Sequence, residues 1–116
     1  MIHLCQSRRA QNNGYCRSIR GLNYDACTTK SDIIRINGTR YRKVNAESYI
    51  SHKTIEFRQH SGTTDYDKIA NWINFLRKLI QYSFENEIQE CILIEQIPFL
   101  TEAEKQYFIN RREALN

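Results

Sequence analysis

Proline and glycine are scarce: Pro98 stands alone and four glycines occur in 116 residues. The chain therefore has no Pro- or Gly-rich linker and no low-complexity segment that would divide it. Long apolar runs are missing too, and nothing approaches the roughly 18 consecutive apolar residues of a membrane span. The start, Met1-Ile2-His3-Leu4-Cys5, has neither an extended apolar core nor a small-residue cleavage site, so no signal peptide is read there. A cytoplasmic location is the expectation. With it come reduced thiols or metal ligands, rather than disulfides, at Cys5, Cys16, Cys27 and Cys91. None of the four forms a Cys-x-x-Cys knuckle, and no internal repeat occurs.

What is present is an ordinary globular composition, 41% apolar and 26% charged. The length predicts one domain over residues 1–116 with one modest core, since a chain of this size buries roughly two-thirds of its unfolded surface. The net charge of +4 and a pI near 9.0 favour acidic partners without naming one.

Residues 1–30 hold three of the four cysteines and a polar, basic stretch from Ser7 to Gly14 without a helical stripe. This segment reads as irregular, held by a metal or by packing rather than by an apolar core. The β-branched run Asp32-Ile33-Ile34-Arg35-Ile36, then Asn37-Gly38, then Thr39 to Val44 reads as a hairpin over about 32–45, because Asn-Gly suits a type I′ turn. A strand at about 53–59 would join the same antiparallel sheet. Thr64, with Asp67 three residues on, predicts the cap of a long helix over about 65–84, whose apolar stripe is Ile69, Trp72, Ile73, Leu76, Leu79 and Ile80. Ile88–Ile97 reads as a short helix. The Thr101-x-x-Glu104 capping box opens a last helix over about 102–114. The fold class is α+β.

The chemistry concentrates in Thr54-Ile55-Glu56-Phe57-Arg58-Gln59-His60-Ser61-Gly62-Thr63-Thr64. Strand alternation puts Glu56, Arg58 and His60 on one face and Ile55 and Phe57 on the other. A carboxylate and an imidazole can ligate a divalent cation, and a guanidinium can grip a phosphate. The same spacing also describes a plain ion pair on a solvated sheet face.

Several blocks in order extend this motif. They are Arg8-Arg9 with Asn12, Asn13 and Tyr15-Cys16-Arg17; Arg40 to Asn45; Thr54 to Thr63; and Lys68-Ile69 with Asn71-Trp72-Ile73. On these residues the chain resembles the amidoligase family, the carboxylate–amine ligases related to glutamine synthetase and glutamate–cysteine ligase. The resemblance implies Glu56 as a divalent-metal ligand and Arg58 as a phosphate-binding, cofactor-side arginine, in an ATP- and magnesium-dependent condensation through an acyl phosphate. Such a route needs metal ions and cations to offset developing charge. The paired-carboxylate and Gly-His-containing metal strands that precede the Arg-Arg block in the family have no counterpart here, so the chain reads as the later half of such an enzyme. No residue is therefore read as catalytic.

Two further constellations stand beside it. Cys5, Cys16 and Cys27 are evenly spaced, and with His3 they can supply a tetrahedral zinc site; free buried thiols are the alternative. Arg8, Arg9, Arg17, Arg40 and Arg42, interleaved with Tyr15, Tyr24 and Tyr41, form a candidate partner-binding face for RNA, DNA or an acidic protein. The leading expectation is a non-catalytic, macromolecule-binding protein built on a truncated amidoligase-like module. One concrete form is a phage-type, anti-CRISPR-like inhibitor of a host defence nuclease or ribonucleoprotein. The alternatives are an amidoligase subunit completed by a second chain, and a zinc-stabilised nucleic-acid-binding module.

Overall fold

The computed structural model describes residues 13–87 and 93–115 and groups them into two units, 13–61 and 62–115. In the first unit, a turn of 3-10 helix at Tyr24–Ala26 leads to α1, Lys30–Asn37. Thr29 and Asp32 start α1 through a capping box: the Thr29 hydroxyl accepts from the Asp32 N–H at 3.1 Å. Asp32 in turn accepts from the Thr28 N–H, the Thr28 hydroxyl and the Thr29 N–H, each at 3.1 Å. The Thr28 N–H leads these donors in holding the Asp32 carboxyl well below the usual carboxylate range. The helix ends on Gly38, which adopts φ 74° and closes the last turn by donating to Ile34 O at 3.1 Å.

The first arm of the expected 32–45 hairpin is thus a helix, not a strand. Its Asn-Gly pair does need a left-handed residue, but a helix C-terminus demands the same of glycine as a hairpin turn does. The Thr29/Asp32 cap, which has no use in a strand, decides between them. β-branched propensity at Ile33, Ile34 and Ile36 is overridden.

The sheet itself forms between β1, Val44–Asn45, and β2, Glu56–Phe57, antiparallel with Val44 opposite Phe57 and Asn45 opposite Glu56. The single-turn helix α2, Ser48–His52, lies in the connection. A third segment bridges the chain just before β1. Arg17 N–H donates to Tyr41 O at 2.7 Å, and Lys43 N–H donates to Arg17 O at 2.9 Å, in a parallel bridge of Arg17 with Arg42. The strand expected at 53–59 is therefore present in shortened form.

Polar side chains fill much of this unit's interior: Asn37, Lys43, Asn45 and Gln59 are buried together with Cys16 and Ala46. Asn37, 1% exposed, is the centre. Its amide donates to Tyr24 Oη and to Val44 O, both at 3.0 Å. Its side-chain oxygen accepts from the Ala46 N–H at 3.2 Å. Hydrogen bonds from one side chain thereby tie α1 to β1, and a buried amide is tolerable because its groups are satisfied.

The second unit is built on α3, Tyr66–Glu85, and α4, Glu102–Leu115. Asp65 caps α3, one residue beyond the expected Thr64, accepting from the Lys68 N–H at 3.2 Å. A carboxylate is the stronger cap of the two. Thr101 and Glu104 form the expected capping box of α4, with Thr101 N–H donating to Glu104 at 2.8 Å and Glu104 N–H donating to the Thr101 hydroxyl at 3.2 Å. Of the helix expected over 88–97, residues 88–92 lie outside the described set, and Ile94–Gln96 is a turn of 3-10 helix.

Phe75 organises the core of this unit. Its ring centroid lies 5.6 Å from Trp72 and from Phe99 and 5.9 Å from Phe108, and Ile94, Ile97 and Leu100 are buried in the same unit. Only part of the expected α3 stripe turns inward. Trp72 is buried, whereas Ile69, Ile73 and Ile80 are 39%, 59% and 41% exposed, because Phe75, outside the stripe as read, rotates the buried face of the helix toward itself.

Candidate functional site

Cross-strand register builds the site. Asn45 and Glu56 are direct partners across β1 and β2, so their side chains share a face, and the Asn45 amide donates to Glu56 Oε2 at 3.0 Å. Two residues on, Arg58 returns to that face with Nε 3.6 Å from Glu56 Oε1. The Arg58 backbone is pinned on both sides. Its N–H donates to Lys43 O at 2.8 Å, and its carbonyl accepts from the Cys16 thiol at 3.7 Å.

The Arg58 guanidinium is largely enclosed, its side chain 14% exposed against 51% for Glu56. Nη1 donates to the Arg40 carbonyl, and the guanidinium carbon sits 5.6 Å from the centre of the Tyr41 ring. Arg40 approaches the same ring at 5.5 Å. Tyr15 meets Tyr41 edge to face at 6.2 Å, with an interplanar angle of 83°. The result is a tyrosine pair with two guanidinium groups against it and one carboxylate alongside.

The remaining sequence candidates fall in different places. The His60 Nδ1 donates to Ser61 O at 2.7 Å. Arg42 turns away to main-chain acceptors, Asn37 O at 3.0 Å and Ser18 O at 2.9 Å. Arg17 and Arg40 are exposed. Cys16 is buried, and the Cys27 thiol donates to Asn23 O at 3.9 Å. His3, Cys5, Arg8, Arg9 and Cys91 lie outside the described residues.

Among the described residues, no group of three or more His, Cys, Asp or Glu side chains is placed to hold an ion. Glu56, the acid in the metal-ligand position by resemblance, has one oxygen engaged by an amide N–H and the other facing a guanidinium. A cation there would meet a positive neighbour and one carboxylate, so the described donors do not fit a divalent-metal centre by themselves.

Asn45 was not legible as a site residue, although its amide holds Glu56. The available signal was register: once 44–45 and 56–57 pair, Asn45 must face Glu56. Among the described residues, no helix is long and apolar enough to cross a membrane.

The sequence profile of the family described as "Putative amidoligase enzyme" matches residues 2–80. Neither a curated relative nor a solved structure matches. On the length of the profile match, the chain belongs to the amidoligase family.

Proposed function

We propose that this amidoligase-family chain works by recognising another macromolecule rather than by ligation. The observation that carries the reading is the occupancy of Glu56 and Arg58. The carboxylate is held by Asn45 and Arg58, and the guanidinium by Glu56, the Arg40 carbonyl and the Tyr41 ring. Groups committed to one another in this way must break those contacts before gripping a metal or a phosphate, whereas a reacting constellation is ordinarily held open and preorganised. Beside them, Tyr15 and Arg40 stand exposed, and the chain carries a net charge of +4, which suits an acidic partner. A phage-type inhibitor acting on a host defence nuclease is one form of this reading, tested by pull-down with purified nucleases at physiological salt.

The second reading is a ligase subunit. The juxtaposition of Glu56 with Arg58 favours it, since the family resemblance asks for those two residues together. ADP release with magnesium, ATP and an amine donor separates the two. Recognition predicts no turnover above background in wild type, Glu56→Ala or Arg58→Ala. Wild-type turnover abolished in both variants would establish the ligase and end the recognition reading.

A further inference from the structure

Among the described residues, Tyr15 and its neighbours combine fixed geometry with exposed recognition chemistry. Tyr15 is 77% exposed, yet its backbone is held tightly: Asn13 Oδ1 accepts from the Tyr15 N–H at 3.0 Å and from the Cys16 N–H at 3.1 Å. The next residue, Cys16, is 2% exposed and bonded to Arg58 O. Tyr41, its edge-to-face partner, is fixed by Arg17 N–H on its carbonyl at 2.7 Å. Large aromatic rings are normally covered. An exposed one on an anchored turn, leaning on a second ring, is a preformed flat surface whose ordering entropy is already spent.

Around this surface the charge is positive. Arg40 and Arg58 lie on the Tyr41 ring at 5.5 and 5.6 Å, and the neighbouring carboxylate, Glu56, is offset by Arg58. The complementary ligand therefore presents a flat π-face for Tyr15 and, a few ångströms away, an anion for Arg40. An unpaired nucleotide within a strand offers both, since its base is free to stack and its phosphate follows. A duplex hides its base faces, and an acidic peptide supplies the anion without the planar group.

We infer that the Tyr15–Tyr41–Arg40 surface binds single-stranded nucleic acid, with Tyr15 as the stacking platform and Arg40 as the phosphate contact. The inference rests on the recognition reading above and narrows its partner. Stacking of this kind is tolerant of base identity, so affinity follows single-strandedness and salt rather than sequence.

The test is fluorescence anisotropy with the full chain and a labelled single strand of about 12 nucleotides, the length range of one such site. The same sequence as a duplex, and free ATP as competitor, run in parallel. The single strand should bind more tightly than the duplex and than ATP. Tyr15→Ala should weaken it roughly tenfold or more, and Tyr15→Trp should restore it. Arg40→Ala should flatten the salt dependence by roughly 0.7 in logarithmic slope, one phosphate contact. Equal affinity for duplex and single strand, an unchanged Tyr15→Ala, or no binding at low salt would each overturn the inference. ATP turnover measured on the same preparations keeps the two readings apart. Turnover ends recognition as such, whereas absence of both turnover and strand binding ends only the nucleic-acid inference.

Discussion

Replacing Glu104 with glutamine should unfasten α3 from α4 within the second unit while leaving the shape of the side chain intact. Glu104 Oε1 accepts from the Asn74 amide at 2.7 Å and from Lys78 Nζ at 2.8 Å. Oε2 accepts from Lys78 Nζ and from the Thr101 N–H, both at 2.8 Å. The ion pair is mostly covered, with side-chain exposures of 23% for Lys78 and 19% for Glu104. Desolvation by burial acts against the charged carboxylate, but the hydrogen bonds from Lys78, Thr101 and Asn74 overcome it and lower the carboxyl from 4.5 to about 2.

A depressed acid stabilises the folded unit at pH values above its ordinary 4.5, and the contribution drains away as pH falls from there toward about 2. At about 1.36 kcal/mol per pH unit, that interval sets an upper limit of about 3 kcal/mol at neutral pH, which solvent screening of a partly exposed pair reduces. Glu104→Gln should therefore cost roughly 1–2 kcal/mol at pH 7, with the gap from wild type closing between pH 4.5 and 2.5. Trp72 is the chain's one tryptophan and is buried against Phe75 in this unit. Its fluorescence during urea unfolding reads the right transition at each pH. A variant within about 0.5 kcal/mol of wild type at pH 7, or a gap of constant size down to pH 3, would refute the reasoning.

Two further substitutions probe the first unit. Asn37→Ala removes the donor to Val44 O and the acceptor for the Ala46 N–H; it should cost roughly 3 kcal/mol by circular-dichroism melting, with Tyr24 losing its partner. Gly38→Ala puts a Cβ on a residue at φ 74° with carbonyl neighbours at an ordinary 3.7 Å. The cost is backbone strain rather than clash, about 1 kcal/mol in the same melt.

Periodicity and capping chemistry made the second unit readable. The Thr101-x-x-Glu104 signature specified its own hydrogen bonds, and the helix at 66–85 followed from spacing. Where reading failed, two signals competed at one place. Asn37-Gly38 satisfies a hairpin turn and a helix C-terminus equally, and only Thr29 with Asp32, eight residues upstream of the turn as counted from Asn37 to Thr29, breaks the tie. The site was legible by halves. Alternation along the strand correctly brought Glu56 and Arg58 together, but it did not foresee Ile55 at 50% exposed or Gln59 at 2%, because β2 spans only Glu56–Phe57 and alternation lapses where pairing ends. Partners such as Asn45 and the Arg40 carbonyl come from other segments and cannot be read from the motif.

Those partners bear on what the motif means. In a unit whose described interior includes Asn37, Lys43, Asn45 and Gln59, each buried polar group has to be satisfied by a specific neighbour. Asn45 uses Glu56, Lys43 O and the Cys16 thiol use the Arg58 backbone, and the Arg58 side chain closes on Arg40 and Tyr41. The Glu56 and Arg58 side chains thus take part in the packing of this unit whatever the chain binds. A family motif can persist on folding grounds alone, so its presence does not by itself distinguish a ligase from a recognition module. The distinction lies in how Glu56→Ala and Arg58→Ala act: loss of stability without any turnover to lose identifies a structural pair, and loss of turnover with stability retained identifies a reacting one.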